Sequence, residues 1–242
     1  MEQPVAITRL PKAPTGIRGL DEITGGGLPR RRPTLICGSP GCGKTLLASE
    51  ILARGAAFYG EPGLFISFEE SPADLRINLS GLSLDVTDLE RRKLLLTEQI
   101  VLDQGEVAEV GEYDLEGLFI RLGLLIDRIG AQRIAIDTIE TLFSAFGNRT
   151  ILRGELQRLF HWLRQRGLTA IITAERTGQE LSCFGIEEFV ADCVILLDYR
   201  INEHVLTSHS QIVKYRGSAY GVNEYPFTIG PRGIAMWHGH SN

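Results

Sequence analysis

The chain has 242 residues, with 25 lysines and arginines, 30 aspartates and glutamates, and a formal net charge of −5. This charge argues against nucleic acid as the main ligand, because domains that hold nucleic acid usually carry a basic excess. No stretch reaches about 18 consecutive apolar residues, and the start lacks the apolar segment of a secretion signal, so neither a membrane span nor export is predicted. The four cysteines form no CxxC pair, which indicates reduced thiols in a cytoplasmic protein.

Short apolar runs alternate with helical patterns after an extended, proline-containing lead-in over residues 1–14. The predicted strands are TLICG (34–38), GLFISF (63–68), RIAID (133–137), TAIITAE (169–175), DCVILLDY (192–199), QIVKYR (211–216) and FTIGPRGIAMW (227–237). The first four runs are nearly continuously apolar, as expected of parallel strands that are covered on both faces. The last three runs have little helical sequence between them and predict an antiparallel or mixed extension of the sheet.

Helices are predicted over residues 44–59, 72–80, 115–129 and 150–166. Ser71 is the expected N-cap of the second helix, with Asp74 placed to close a capping box. Asp114 precedes the third helix, and the fourth places Ile151, Leu152, Leu156, Leu159, Phe160 and Leu163 on one apolar face. Alternating strands and helices predict an α/β fold with a mostly parallel central sheet and helices on both faces. We expect a single domain over residues 15–237 and a tail over 238–242.

Residues 38–45, GSPGCGKT, match the phosphate-loop pattern G-x-x-x-x-G-K-[ST] between a predicted strand and a predicted helix. The glycines let backbone N–H groups point at phosphate oxygens, and the helix that follows adds the positive end of its dipole. Lys44 is expected to reach the β- and γ-phosphates of ATP, and the Thr45 hydroxyl is expected to hold Mg²⁺. The residues expected to bind nucleotide here are Ser39, Pro40, Gly41, Cys42, Gly43, Lys44, Thr45 and Leu46.

Carboxylates follow three of the predicted apolar strands. Asp137 ends RIAID, Glu69 and Glu70 follow GLFISF, and Glu175 ends TAIITAE. Ligands of parallel sheets bind at the carboxyl ends of the strands, which is also where the phosphate loop lies. Asp137 fits a Mg²⁺ site, although an Asp that caps the following turn would look the same.

Glu69 and Glu70 are candidates for orienting and polarising the water that attacks the γ-phosphate. Adjacent strand residues point to opposite faces, so only one should be aimed at the site unless the strand has already turned. We favour Glu69 for the water and Glu70 as its helper; alternatively, one of them caps the helix that begins at Ser71. Glu175 and Arg176 are interpreted as a structural ion pair, with a nucleotide-sensing pair as the alternative.

These motifs together resemble the KaiC family of RecA-like ATPases, over about residues 11–235. The stretches GGGLP and GSPGCGKT are shared with RecA and RadA relatives, whereas FEES, EEFVAD and the KxRG…EYPF region are closer to KaiC. The stretches that carry the resemblance are TGIRGLDEITGGGLP (15–29), GSPGCGKT (38–45), EPGLFISFEESPADL (61–75), IAIDTIETLF (134–143), ITAER (172–176), GIEEFVADCVILL (185–197) and KYRGSAYGVNEYPFTI (214–229).

The resemblance implies rings of six RecA-like domains with ATP at each subunit interface, and Glu69 and Glu70 as the catalytic carboxylates. It also implies that a K-x-R pair reaches the neighbouring subunit's nucleotide, with Arg216 acting catalytically. The residues so implied are Lys214, Tyr215, Arg216, Ser218 and Tyr220; Tyr220 stands where clock proteins commonly have His. Strand alternation predicts that Lys214 and Arg216 share one face with Ile212. Two solvated edge-strand cations are the alternative.

Clock KaiC proteins carry two such domains in tandem, and this chain matches one of them. The family's Ser–Thr autophosphorylation pair is replaced here by Glu187–Glu188, which resembles the first, ATPase domain and predicts hydrolysis without autokinase activity. The resemblance further implies a homo-hexamer and regulatory partner proteins such as KaiB-like ones.

Two other functions use the same fold. A DNA motor of the RecA type needs basic loops facing a channel, and the stretch after Asp137 offers only Arg149, Arg153 and Arg158. A nucleotide-dependent assembly module with negligible turnover needs the same residues as an ATPase. Glutamine substitutions at Glu69 and Glu70 separate the ATPase from the assembly module.

Overall fold

The computed structural model describes residues 10–81, 85–101, 115–143, 149–176, 190–202 and 205–237. The strands are β1 Lys12–Ala13, β2 Leu28–Pro29, β3 Pro33–Gly38, β4 Gly63–Ser67, β5 Leu95–Gln99, β6 Arg133–Asp137, β7 Thr169–Glu175, β8 Cys193–Asn202, β9 Val205–Tyr215, β10 Glu224–Gly230 and β11 Gly233–Met236. The helices are α1 Leu20–Ile23, α2 Lys44–Tyr59, α3 Pro72–Leu79, α4 Val86–Arg91, α5 Glu116–Ile129, α6 Ile139–Phe143 and α7 Arg149–Gln165.

Within these ranges, nine strands form one sheet in the order β11-β10-β9-β8-β3-β7-β6-β4-β5. The strands from β8 to β5 in this order are parallel neighbours, and β9, β10 and β11 continue the sheet in antiparallel pairs. The short strands β1 and β2 pair with each other beside it. The predicted α/β class and the mixed extension are therefore confirmed, with the antiparallel part beginning at β9.

Successive residues of the central strands pack into two apolar layers, one on each face of the sheet. Ile36 packs with α2, α3 and α4, whereas its neighbours Leu35 and Cys37 pack with α5, α6 and α7. Apolar residues on consecutive strand positions are buried because both faces are covered. The predicted apolar face of α7 is buried except at Ile151, which is 53% exposed.

Three short or weakly patterned elements differ from the sequence prediction. The edge strand β5 was not predicted, because its run LLTEQ turns polar after two residues and, among the described strands, it pairs with β4 alone. The six-residue helix α4, capped by Asp85, is too short to show a helical period. FTIGPRGIAMW forms two strands, β10 and β11, that turn back at Pro231 and Arg232.

Helix starts follow the predicted residues with one difference in hydrogen bonding. Ser71 is the N-cap of α3, and its Oγ accepts from the Asp74 amide at 3.2 Å. The Asp74 carboxylate accepts from the Ser71 hydroxyl at 2.6 Å, in place of the backbone amide that a capping box uses. Helix α5 begins at Glu116 after Leu115, and Asp114 lies outside the described residues.

A register shift in β9 overturns the predicted face of Lys214. Ile195 pairs with Ile212, but the preceding Val194 pairs with Lys214, so Val213 is an extra residue on β9. Ile195 and Ile212 pack on the α2 side, whereas Val194 belongs to the α5–α7 side. Because paired residues share a face, the bulge moves Lys214 to the face opposite Ile212.

An ion pair between Arg133 and Glu61 is buried where β6 begins. The Arg133 side chain is 0% exposed, and its Nε lies 2.6 Å from Glu61 Oε2. Its other nitrogens donate to the carbonyls of Ile51 at 3.2 Å and Pro14 at 2.8 Å. Burial lowers the pKa of Arg133, and the Glu61 carboxylate opposes that shift. The pair therefore ties α2 and the amino-terminal segment to the sheet.

Glu61→Gln is expected to reduce the free energy of unfolding by about 3–5 kcal/mol, because it leaves the Arg133 cation buried without its counter-charge. The measurement is urea unfolding, followed by circular dichroism. Glu90→Gln removes the more exposed pair that Glu90 makes with Arg76 and is the matched control, with an expected cost below about 1 kcal/mol. Equal costs for the two variants would contradict the stabilising role of the buried pair.

Candidate functional site

The phosphate loop connects β3 to α2 with the backbone shape that its glycines predict. Gly41 and Gly43 have φ angles of 77° and 96°, values that side-chain-bearing residues rarely adopt. The Lys44 ammonium donates to the carbonyls of Gly38 at 3.0 Å and Ser39 at 3.1 Å, which holds it against the loop. The Cys42 side chain points into the core. Backbone amides at the start of α2 are thus directed at the space above the loop.

Asp137 lies beside Thr45 although the two are far apart in sequence. Strand β7 separates β3 from β6, so the end of β6 is one strand removed from the loop. The Thr45 hydroxyl donates to Asp137 Oδ2 at 3.0 Å, and the Thr173 hydroxyl of β7 donates to Asp137 Oδ1. The two threonines therefore orient the carboxylate from opposite sides.

The residues around Asp137 fit a divalent cation. Asp137 is 5% exposed; burial raises its pKa, its hydrogen bonds from Thr173 and Thr45 lower it, and the negative charges of Glu70 and Glu69 raise it further. Within the described part of the chain, no group of three or more His, Cys, Asp or Glu side chains could hold a metal. One carboxylate and one hydroxyl suit Mg²⁺, which keeps several waters and takes its remaining ligands from substrate phosphates.

The backbone turns before it reaches the glutamate pair, which decides how the two side chains point. Strand β4 ends at Ser67, and Ser67 Oγ accepts hydrogen bonds from the amides of Glu69 at 3.2 Å and Glu70 at 2.8 Å. Alternation along a strand therefore no longer applies to these residues. Both carboxylates act electrostatically on Asp137.

The two glutamates have different partners. Glu69 Oε1 accepts from the hydroxyls of Thr141 at 2.6 Å and Thr138 at 3.4 Å. Thr138 is the residue directly after Asp137. Glu70 Oε2 accepts from Asn78 of α3 at 3.1 Å. Glu69 is therefore held next to the end of β6, whereas Glu70 is turned toward α3.

Glu175 and Arg176 do not form the predicted pair. The Glu175 backbone amide donates to Glu140 Oε1 at 2.7 Å. Arg176 Nη1 lies 3.5 Å from Asp198 Oδ2, and its amide donates to the carbonyl of Gly38. Arg176 thus links the phosphate loop to β8, and its ion-pair partner is Asp198.

Lys214 and Arg216 lie at the opposite edge of the sheet from the phosphate loop of their own chain. Tyr215 pairs with Cys193, which in turn pairs with Thr34 near the start of β3, whereas the loop begins where β3 ends. Thr34, which marks the position of Tyr215, and the end of β3 at Gly38 are about 13 Å apart along the strand. Arg216 is exposed and lines a groove of about 400 Å³ with Gln157, Phe160, His161, Arg164 and Val190.

The residues around this pair make contacts within their own chain. Tyr215 is 5% exposed and donates its hydroxyl to the Gly27 carbonyl at 2.7 Å, and burial raises its pKa. Ser218 Oγ accepts from Lys12 at 2.7 Å, and Tyr220 stacks on Tyr215 with ring centroids 6.4 Å apart. The Tyr215 side chain is therefore not exposed for a neighbour's nucleotide, whereas Ser218 and Tyr220 are partly exposed.

The hydroxyls and the amide that orient the carboxylates were missed from the sequence. Thr173 lies inside an apolar strand, Thr138 directly precedes the five-residue helix α6, and Thr141 lies within that helix. Asn78 lies on α3, eight residues after Glu70. A polar residue inside the run TAIITAE was the one available signal, since a buried hydroxyl needs a partner.

The cysteines and the arginines after Asp137 were also singled out from the sequence, and some of these residues lie outside the described ranges. The thiols of Cys37, Cys42 and Cys193 are buried, and burial raises the pKa of Cys193 to about 12. Arg153 is exposed, and Arg158 pairs with Glu116. The described ranges contain no helix that is long and apolar enough to cross a membrane. The residues that fall outside are Cys183, the Arg149 side chain and Glu187–Glu188.

Comparison with known proteins identifies the family. A sequence profile described as "ATPase: KaiC" matches residues 13–241. Circadian clock protein KaiC2 of Synechocystis is 55% identical over 225 residues, which are 93% of this chain and 40% of the relative. Circadian clock oscillator protein KaiC of Parathermosynechococcus lividus is 37% identical over 230 residues, 94% of this chain and 42% of the relative. Circadian clock oscillator protein KaiC of Prochlorococcus marinus is 34% identical over 228 residues, which are 93% of this chain and 46% of the relative.

The chain therefore spans less than half the length of these curated relatives. The matched profile covers the phosphate loop, the carboxylates at the ends of β4 and β6, and the segment after β9. The sheet built around the phosphate loop is the RecA-like P-loop arrangement that the motifs predicted. This chain belongs to the KaiC family of ATPases.

Proposed function

We propose that this chain binds ATP with Mg²⁺, hydrolyses it, and assembles into a ring, in which neighbouring subunits complete each other's sites. The observation that carries the proposal is the convergence of Lys44, Thr45, Asp137 and Glu69 at one edge of the sheet. Such a set supplies phosphate binding, a place for the cation and a base for water, which are the parts that phosphoryl transfer needs.

Each residue has one task in this proposal. The loop amides and Lys44 bind the β- and γ-phosphates, and Thr45 and Asp137 would hold Mg²⁺. When bound, Mg²⁺ supplies positive charge that offsets the negative charge on the phosphate oxygens. Glu69 orients the attacking water and accepts its proton through the carboxylate that Thr141 holds. Glu70 adds negative charge near Asp137, which favours the cation.

Lys214 and Arg216 serve a second copy of the chain. They lie at the edge opposite their own phosphate loop, so a cation there would meet phosphates only across an interface. A contact in which one edge of a subunit meets the other edge of the next is heterologous, and such contacts form a ring when the rotation between subunits closes. A hexamer is the ring size that we propose from the family resemblance. A timing or switching role is proposed likewise, since the relatives are named circadian clock proteins.

ATP hydrolysis per subunit is expected to rise steeply with protein concentration and then level off, because an isolated subunit lacks the neighbour's cations. The measurement is phosphate release with Mg²⁺ over a wide concentration range, with size-exclusion chromatography at the same concentrations. A flat, non-zero rate from a monomeric protein would contradict the shared site. Absence of hydrolysis at every concentration would favour the assembly module, and salt-dependent DNA binding would favour the DNA motor.

A further inference from the structure

The segment that carries the proposed trans residues rests on the amino-terminal part of the same chain. We define the amino-terminal unit as residues 10–29, which contain β1, α1 and β2. Tyr215 donates its hydroxyl to Gly27, and the Gly221 amide donates to the Ile23 carbonyl at 2.9 Å. The chain is therefore bonded to this unit at two points, the last residue of β9 and Gly221 in the loop that follows β9.

Between these two points, Lys12 of the amino-terminal unit contacts the loop that follows β9. Its ammonium donates to Ser218 Oγ at 2.7 Å and to the Thr24 carbonyl at 2.8 Å. The same ammonium lies 3.6 Å from the centroid of the Tyr215 ring. One cation thus contacts both the side chain at the end of β9 and the loop beyond it.

These contacts fix the position of the chain on either side of Arg216. A cation above an aromatic ring is attracted by the ring's negative face, and the attraction grows when the cation is partly withdrawn from water. Lys12 is partly buried, and this burial lowers its pKa. The Thr24 hydroxyl donates to the Leu20 carbonyl, so the residue whose carbonyl binds Lys12 is itself fixed in position.

We propose that Lys12 is a positioning residue for the trans half of the ATP site: it holds the segment 215–218 so that Arg216 meets the neighbour's phosphates. This proposal rests on the proposed function above. Lys12 touches no substrate in it and acts through Tyr215 and Ser218. A lysine in the region predicted from sequence to be a lead-in therefore controls hydrolysis in the next subunit.

Lys12→Met is expected to lower kcat by about 10-fold or more while rings still form, because a misplacement of about 1 Å in a catalytic group can cost about 100-fold. Lys93→Met, at an exposed lysine between α4 and β5, is the matched control and should leave kcat unchanged. Lys12→Gln keeps a hydrogen-bond donor without the cation and should fall between the two. Assembly is followed by size-exclusion chromatography and the fold by circular dichroism.

Mixed rings separate positioning in trans from a general loss of stability. Subunits with both Glu69→Gln and Glu70→Gln are expected to hydrolyse almost no ATP themselves, and they keep an intact Lys12 and Arg216. Mixed in equal amounts with Lys12→Met subunits, they should restore about one quarter of the wild-type rate, since half of the subunits have a working base and half of those meet an intact neighbour. Without such complementation, the mixture gives half of the Lys12→Met rate.

The possible outcomes each decide the proposal. Complementation supports it. An unchanged kcat in Lys12→Met, a loss that the mixture does not rescue, or failure of both Lys12 variants to fold overturns it and leaves Lys12 a residue of fold stability or of no measured role. Arg216→Ala distinguishes this result from failure of the proposed function: if that variant also has wild-type turnover, the shared site itself is wrong.

Discussion

Glu69→Gln is expected to lower kcat for ATP hydrolysis by roughly 10²- to 10⁴-fold, the usual contribution of a positioned general base. The glutamine amide keeps the size of the side chain but cannot accept a proton from water. Ring assembly and ATP affinity should be retained, because the side chain bonds Thr141 and Thr138 and not the phosphate loop. The measurements are steady-state phosphate release and binding of a fluorescent ATP analogue.

Glu70→Gln tests which of the two carboxylates acts on the water. A smaller loss is expected, because Glu70 Oε2 is bonded to Asn78 on α3. Glu224→Gln, at an exposed glutamate on β10, is the control for a lost carboxylate elsewhere and should leave kcat unchanged. A greater loss for Glu70→Gln would reverse the two roles, and unchanged turnover in both variants would contradict a catalytic pair.

Arg216→Ala is expected to lower kcat by about 10³-fold or more, as removal of an arginine finger does. The side chain lies at the edge opposite its own phosphate loop, so the loss should appear in the neighbouring subunit's site. Mixing Arg216→Ala subunits with Glu69→Gln, Glu70→Gln subunits should therefore restore activity. Phosphate release from the mixture, compared with each variant alone, is the measurement.

The matched control for Arg216→Ala is Arg200→Ala, which removes an exposed arginine that pairs with Glu224. Its turnover should equal that of the wild type, because Arg200 is exposed and its ion pair with Glu224 has no task in the proposed site. If Arg216→Ala has wild-type turnover, the two solvated edge-strand cations of the alternative interpretation are the better description. If its activity is lost but not complemented, Arg216 acts within its own subunit.

The phosphate loop and Asp137 of the candidate site were predictable because their signals are local. The phosphate loop is a contiguous motif, and its glycines at 41 and 43 have the positive φ angles that the motif requires. Asp137 was found because a carboxylate ending an apolar parallel strand must lie at the ligand-binding edge. The hydroxyls of Thr173 and Thr141 were missed, since nothing in a single strand or short helix indicates which carboxylate a distant threonine will meet.

Strand alternation stops applying at two places in this chain, the turn after β4 and the bulge in β9. Alternation predicted that Glu69 and Glu70 would diverge unless the strand had turned, and the Ser67 hydroxyl shows that it has, by bonding both amides. Alternation also put Lys214 on the face of Ile212, but the bulge at Val213 reverses it. Period-2 patterns hold only while the pairing register is uninterrupted.

The sequence by itself determined the α/β class, the order of the central strands along the chain, the phosphate loop and the acids at the strand ends, because each depends on the chemistry of neighbouring residues. Only the tertiary structure decided that Thr45 and Thr173 orient Asp137, that Glu61 neutralises Arg133, and that Lys12 holds the segment around Arg216. These contacts join residues that are distant in sequence, and the order and register of the sheet strands, which no local pattern encodes, bring them together.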